Sequence, residues 1–276
     1  MSSPTLPVAL TIAGSDSGGS AGIQADIKTF SALGVYGASV ITALTAQNTR
    51  EVSAIHDAPP DFIAAQIDAV FDDIRIDAVK IGMLSRSEVI DAVAAGLERH
   101  GVTRVVLDPV MVAKSGDRLL QPAAVATLRE RLLPLATVIT PNLPEAAVLL
   151  EEPAAGVEAD MAAACARLLR LGPRYALLKG GHLSGPESVD YLCGDAVRRC
   201  FAAPRVETRN THGTGCTLSS AIAAYLARGI EVPEAVERAK DYLTRALRAA
   251  DELAVGGGRG PVHHFHALWS ARETAQ

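Results

Sequence analysis

A chain of 276 residues that is 49% hydrophobic and 21% charged can bury a full core, and its length lies just above the usual single-domain range of ~100 to 200 residues. Its net charge of -5 and sequence pI near 5.8, with no lysine- or arginine-rich run, offer no electrostatic footprint for a nucleic acid backbone. MSSPTLPVAL at the N-terminus lacks the basic flank and apolar core of a signal peptide, and no apolar segment approaches the ~20 residues that span a bilayer, so a cytoplasmic protein without a membrane partner is expected.

In chain order, VALTIAG (8 to 14) predicts a strand, and Ile23, Ile27, Phe30 and Leu33 then recur at helical spacing until Gly34 stops the helix. YGASVITAL predicts a strand and PDFIAAQIDAVFDDI a helix opened by proline. DAVKIGM follows as a strand, and SRSEVIDAVAAGLERHG as a helix with Ser85 and Glu88 spaced as a capping box and Gly101 at its end. RVVLDPV, ATVITPN and YALLKGG are continuous apolar runs, the pattern of strands covered on both faces. Between the last two, AAACARLL predicts a helix with Cys165 as a small buried hydrophobe. The alternation predicts an α/β fold with a largely parallel sheet, as one domain spanning 1–276: no repeat or linker divides the chain, and VGGGRGP (255 to 261) comes too late to separate domains.

In open parallel sheets ligands bind beyond the carboxyl ends of the strands. Those positions here carry Gly14-Ser15-Asp16, Lys80 to Met83, Asp108-Pro109, Pro141 to Glu145, and Lys179-Gly180-Gly181-His182. Acids after two strands and a lysine beside two glycines after a third suggest phosphate and a divalent cation. Near the C-terminal end, RNTHGTGCTLSSAIAAYLARG places Gly213 and Gly215 ahead of a helix from about Thr214 to Arg228. Both glycines can take positive φ, and backbone N–H groups with the helix dipole make an anion hole. The dinucleotide pattern G-x-G-x-x-G fails because Leu218 stands where the third glycine would be, and no Walker A motif occurs. The four cysteines, at 165, 193, 200 and 216, form no C-x-x-C pair and no disulfide framework. His263-His264-Phe265-His266 has no acid or cysteine partner at metal-ligand spacing and reads as packing.

The run NTHGTGCTLSSA, with TPNLPEA, LLKGGH and IAGSDSGGSAGIQADIKTFSALGVYG, resembles the ribokinase-like superfamily. Within it, SVITALTAQNT, VKIGMLS, VLDPVMVAKSG and GPVHHFHA resemble the hydroxymethylpyrimidine/phosphomethylpyrimidine kinases of thiamine biosynthesis, from about Val8 to Trp269, with Ser20 a departure where glycine is commoner. The resemblance implies a three-layer α/β/α fold and a homodimer. It implies two successive phosphorylations of 4-amino-5-hydroxymethyl-2-methylpyrimidine by ATP with Mg2+, to the monophosphate and then the diphosphate. Pyridoxal is the nearest alternative substrate, and an idle binding protein is the alternative from another class.

Cys216 stands where sugar kinases of the superfamily carry an aspartate base. A thiol at a helix N-terminus can ionise below its usual ~8.5, so a thiolate base is possible in the first step. In the second step the acceptor phosphate is already anionic, and a neutral thiol would not repel it as a carboxylate would. Catalytic expectations therefore fall on Cys216, Gly213, Gly215 and Lys179. Gln47 offers a donor and an acceptor suited to an aminopyrimidine edge, and the resemblance adds Asp26, Met83 and Val110 around the ring. For the nucleotide the resemblance points to Asp108, Asn142, Lys179, Thr211, Gly213 and Lys240, with Asp108 and Glu145 as oxygen ligands for magnesium.

Overall fold

The computed structural model describes residues 6–112, 119–181 and 183–269. Residues 113–116 of VLDPVMVAKSG and His182 of LLKGGH lie outside the described residues. The chain runs β1 (Val8–Asp16), α1 (Gly22–Ala32), β2 (Tyr36–Gln47), β3 (Val52–Asp57), α2 (Pro60–Phe71), β4 (Ala78–Ile81) and α3 (Ser87–Arg99). It continues through β5 (Val105–Leu107), α4 (Ala124–Thr127), β6 (Val138–Ile139), α5 (Leu143–Leu150), α6 (Ala154–Ala159), α7 (Met161–Leu169) and β7 (Tyr175–Lys179). The antiparallel pair β8 (Glu187–Gly194) and β9 (Val197–Pro204) follows, and α8 (Thr214–Ala227) and α9 (Val232–Arg248) complete the order.

One sheet in the order β3-β2-β1-β4-β5-β6-β7-β8-β9 unites the strands. It is parallel from β2 through β7 and antiparallel at β3, β8 and β9. The side-chain period of two divides each central strand between two cores. Val79, Ile81, Val105, Leu107, Ile139 and Leu178 pack toward α2, α3, α5 and α7. The intervening Ala78, Val106, Val138 and Leu177 pack toward α1, α8 and α9. The result is the expected α/β/α sandwich. Helix α8 is buried from Thr217 through Ala227 because its small, apolar surface is covered on nearly every side.

Three strands carried no clear signal. β3 is exposed along most of its length and so lacks an alternating apolar pattern. The β8–β9 hairpin turns on Asp195 and Ala196, at φ 43 and 63, without the glycine that usually marks such a turn. Ser85 forms no capping box: α3 begins at Ser87, and the buried Ser85 hydroxyl has no hydrogen-bond partner among the described residues. Gly34 and Gly101 do close their helices, at φ 73 and 61. Cys165 is buried, its thiol 2.7 Å from that of Cys193. His264 is buried with Nε2 3.1 Å from Thr217 Oγ1, and burial pushes its pKa down to about 3, which keeps it neutral. Among the described residues no helix is long and apolar enough to cross a membrane.

Candidate active site

At the carboxyl ends of the parallel strands lies a cavity of about 810 Å³. The sheet changes direction there, since β1 has β2 on one side and β4 on the other. Gly213 is the N-cap of α8 at φ 79, and a Cβ on it would lie 1.8 Å from the Ser20 carbonyl oxygen. Only glycine fits that contact. Gly215, expected to share the positive φ, lies instead within the helix. Its missing side chain matters because a Cβ would stand 3.4 Å from Asp108 Oδ2 and 3.6 Å from Lys179 Nζ. Among the described residues no side chain caps α8, so its first N–H groups are open to an anion in the cavity that Thr211, Gly213 and Gly215 line.

Cys216 lies in the first turn of α8, half-buried, and lines the same cavity. Burial raises its pKa to about 11; the Lys80 charge pulls the other way, while Asp26 and Asp108 add to the rise. The expectation of a thiolate is therefore corrected. Desolvation outweighs the Lys80 charge, and the thiol is neutral near pH 7.

Asp26 needs a second correction. The resemblance put it against the pyrimidine, but its side chain is wholly buried between α1, α8 and β4. Lys80 Nζ approaches its Oδ1 at 3.0 Å and Oδ2 at 2.8 Å. Ser220 Oγ donates to Oδ1 and Thr11 Oγ1 to Oδ2, both at 2.6 Å. Those four bonds saturate the carboxylate. Burial lowers the Lys80 pKa, but the Asp26 charge outweighs it and holds the ammonium well above its ordinary range. Lys80 reaches the cavity wall, and Asp26 acts on the site only through it.

Lys179, at the end of β7, donates to Asp108 Oδ1 at 3.0 Å, and Thr140 Oγ1 donates to the same oxygen at 3.0 Å. Desolvation would raise the Asp108 pKa, yet Lys179 and Lys80 bring it below the usual carboxylate range. Burial likewise opposes the charge on Lys179, and Asp108 with Glu145 more than restores it. Asn142 and Glu145 form a reciprocal capping box on α5: Oδ1 of Asn142 accepts from the Glu145 N–H at 2.9 Å, and Oε2 of Glu145 accepts from the Asn142 N–H at 2.8 Å. Burial pushes Glu145 up to about 7; Lys179 lowers it and Asp108 raises it. Two carboxylates that repel one another at a cavity wall, with one lysine between them, are a donor set suited to a hard dication carrying phosphate and water ligands. Among the described residues no cluster of three or more His, Cys, Asp or Glu forms an all-protein metal cage.

Gln47, Met83 and Val110 line the cavity together with Cys216. Thr42 Oγ1 donates to the Met83 carbonyl at 2.8 Å, which ties the post-β4 loop to β2. One neighbour of Gln47, His212, was not singled out by the sequence, whereas Asp16 beside it stood among the strand-end residues. His212 Nε2 lies 3.0 Å from Gln47 Nε2 and 3.3 Å from Asp16 Oδ2. Asp16 also accepts the N–H groups of Gly18, Ser20 and Ala21. Burial opposes its charge, but the His212 contact and those N–H groups keep its pKa below the ordinary value. Lys240 is buried: its Nζ lies 2.6 Å from Asp190 Oδ2 and 3.3 Å from Ser188 Oγ, and it lines the cavity with Pro204, Val206, Leu243 and Leu247.

Comparison with known proteins agrees with this fold. The family model described as phosphomethylpyrimidine kinase matches residues 16–263. A hydroxymethylpyrimidine/phosphomethylpyrimidine kinase of Rhizobium meliloti is 61% identical over 263 residues, which cover 95% of this chain and 98% of that protein. The crystal structure of Bacillus subtilis pyridoxal kinase in complex with ADP superposes with a TM-score of 0.88 at 37% identity, covering 96% of this chain and 100% of that one. The crystal structure of a phosphomethylpyrimidine kinase from Clostridium difficile gives 0.75 at 48% identity, covering 87% and 99%.

Proposed function

This chain belongs to the phosphomethylpyrimidine kinase family, within the ribokinase-like fold, and we propose from that premise that the cavity at the strand ends carries out both phosphorylations of the pathway to thiamine. It transfers phosphate from ATP to 4-amino-5-hydroxymethyl-2-methylpyrimidine, and then again to the monophosphate. The observation that carries the reading is continuity. The uncapped start of α8, the Lys179–Asp108 pair and the Gln47–Met83–Val110 wall all border a single space of about 810 Å³.

Phosphoryl transfer passes through a loose transition state, so positioning and neutralisation of charge matter more than proton removal. The α8 N–H groups and Lys179 face the migrating phosphoryl group and stabilise its charge. Asp108 and Glu145 would hold magnesium, which supplies charge neutralisation between nucleotide phosphates when bound. Lys240, Thr211 and Asn142 border the nucleotide, with Leu243 and Leu247 as apolar surface for its base. Gln47 pairs with the pyrimidine edge, and Met83 and Val110 pack on the ring.

A neutral Cys216 contributes little as a base. General-base help is typically ~10²- to 10⁴-fold, a loss that good positioning can absorb. Its value lies in the second step, where an uncharged thiol leaves room for an anionic acceptor that a carboxylate would repel. The continuous sheet supports treating residues 1–276 as one kinase domain, and the reading extends to a cytoplasmic homodimer.

Pyridoxal phosphorylation is the second reading, favoured by the backbone likeness to a pyridoxal kinase. Mass spectrometry of products formed from MgATP with the hydroxymethylpyrimidine, and with pyridoxal in a parallel tube, separates the two. Pyrimidine diphosphate arising through the monophosphate is expected. Phosphate on pyridoxal alone would transfer the assignment.

A further inference from the structure

Around Gln47 the hydrogen-bond donors and acceptors conflict. The Thr45 hydroxyl lies 2.8 Å from the Ser15 carbonyl oxygen and 3.2 Å from Gln47 Oε1. It has one proton, and two acceptors compete for it. With the amide nitrogen of Gln47 3.0 Å from His212 Nε2, that ring nitrogen must accept, which turns its lone pair on the Asp16 carboxylate 3.3 Å away. Both conflicts vanish if the Gln47 carboxamide is turned by half a rotation. Thr45 then donates to Ser15 and accepts from the Gln47 amide, while His212 Nε2–H donates to the Gln47 oxygen and to Asp16. Amide orientation and histidine tautomer are fixed by such networks as a unit.

Asp16 is well placed to dictate the tautomer. It is 3% exposed and receives three backbone N–H groups from the loop that starts α1. Being ionised, it can only accept, so a proton on His212 Nε2 is the arrangement it stabilises. His212 itself is anchored by its own backbone, whose N–H donates to the Gly260 carbonyl at 3.0 Å.

We propose that His212, set by Asp16 as the Nε2–H tautomer, is a specificity-determining positioning residue that locks the Gln47 carboxamide with its oxygen toward the α8 side of the cavity. The assignment rests on the reading of the cavity as a pyrimidine site. One oxygen lone pair and one amide N–H of Gln47 stay free, and their order is fixed. In the hydroxymethylpyrimidine the amine is next to the reacting hydroxymethyl group, and a ring nitrogen follows. The edge therefore reads donor, then acceptor. In pyridoxal the corresponding positions hold an aldehyde oxygen and a phenolic hydroxyl, which read acceptor, then donor. The reacting group must face α8, and His212 directly precedes the Gly213 cap. The substituent beside the reacting group therefore meets the locked oxygen. An amine pairs with it; an aldehyde oxygen is repelled. The discrimination is of the kind a glutamine makes on a base edge, where reversing the pattern costs about tenfold or more.

The test compares kcat/KM for the hydroxymethylpyrimidine and for pyridoxal, with KM for ATP, in the wild type, His212→Phe and His212→Gln, each with a thermal unfolding curve. Phe removes the donor; Gln keeps an N–H that can serve both Asp16 and the Gln47 oxygen. The preference for the pyrimidine is expected to fall by about tenfold or more in His212→Phe, through a raised pyrimidine KM at unchanged ATP KM, and to recover in His212→Gln. If the Phe variant does not fold, His212→Met, also without a donor, replaces it. Equal losses for both substrates in the donorless variant, or a Gln variant as indiscriminate as the Phe one, would overturn the assignment. A wild type that makes no pyrimidine phosphate would overturn the reading of the cavity as well, and that result appears before any variant is compared.

Discussion

Lys80 and Asp26 form an ion pair at 2.8 Å in which both side chains are fully buried. It joins β4 to α1, Thr11 brings in β1 and Ser220 brings in α8, so four elements around the candidate active site meet on one carboxylate. Removing one partner from such a pair leaves an uncompensated buried charge, at a cost of about 3–5 kcal/mol. Asp26→Ala should lower stability by about that amount in a denaturant titration. The double replacement Lys80→Met with Asp26→Leu should recover much of it. A stable Asp26→Ala enzyme with only a raised pyrimidine KM would return Asp26 to the substrate site.

Gly213 and Gly215 should answer alanine differently. At Gly213 the added Cβ meets a carbonyl oxygen at 1.8 Å in a left-handed backbone, so Gly213→Ala should disrupt the loop and abolish turnover. At Gly215 the nearest atoms are at 3.4 and 3.6 Å, ordinary contact distances, so Gly215→Ala should fold with a near-native melting curve. Its turnover should still drop, because the methyl group enters the space between α8, Asp108 and Lys179. Steady-state rates alongside calorimetry distinguish a lost fold from a blocked site.

Glu145 links pH to stability. Its folded pKa, about 7, exceeds its ordinary 4.5, so the folded state binds more protons than the unfolded state between those values. Its contribution is fully present below about 4.5 and is lost as pH rises through 7. In chelator, Glu145→Gln should therefore gain stability over the wild type across that window, by about 3 kcal/mol at most. The same variant should need several-fold more magnesium for half-maximal rate; an unchanged metal titration would remove Glu145 as a ligand.

A neutral Cys216 makes two forecasts. Near pH 7 it should react slowly with iodoacetamide, as a thiol with a pKa of about 11 must. Cys216→Asp should impair phosphorylation of the monophosphate more than that of the alcohol, read as separate initial rates. Equal losses in the two steps would contradict the role assigned to the uncharged side chain.

Gln47→Leu keeps the size of the side chain and removes its hydrogen bonds. The pyrimidine KM should rise by about tenfold or more with little change for ATP. Unaltered kinetics would take Gln47 out of the site.

Continuous apolar runs exposed β4 through β7 to sequence reading, because strands buried on both faces need no alternation. Strand-end residues such as Asp108 and Lys179 followed from that register, and Gly213 from its place ahead of α8. Other features lay beyond local pattern. Whether Cys216 ionises is decided by desolvation, which only the assembled core sets. Asp26 falls at helical spacing between Ile23 and Phe30, and Lys80 lies inside an apolar strand. Each is an isolated buried charge in sequence, and together they are a pair, but only the parallel register of β1 with β4 brings their elements together. His212 stood beside the glycines, and its meaning depended on Gln47 and Asp16, both remote in the chain.

The order in which the chain is made gives the late position of α8 a temporal meaning. Strands β1, β2 and β4 to β7 are all synthesised before it, yet α8 and α9 supply much of the cover for one face of the sheet. An emerging chain therefore leaves the ribosome with an open apolar surface, the state most exposed to aggregation and to capture by chaperones. The arrival of α8 and then α9 ends that exposure, and α8, through Gly213 at its start, completes the proposed anion-binding loop as it docks. The candidate site is thus assembled only as that face of the sheet is being covered, so its appearance on the ribosome reports late folding.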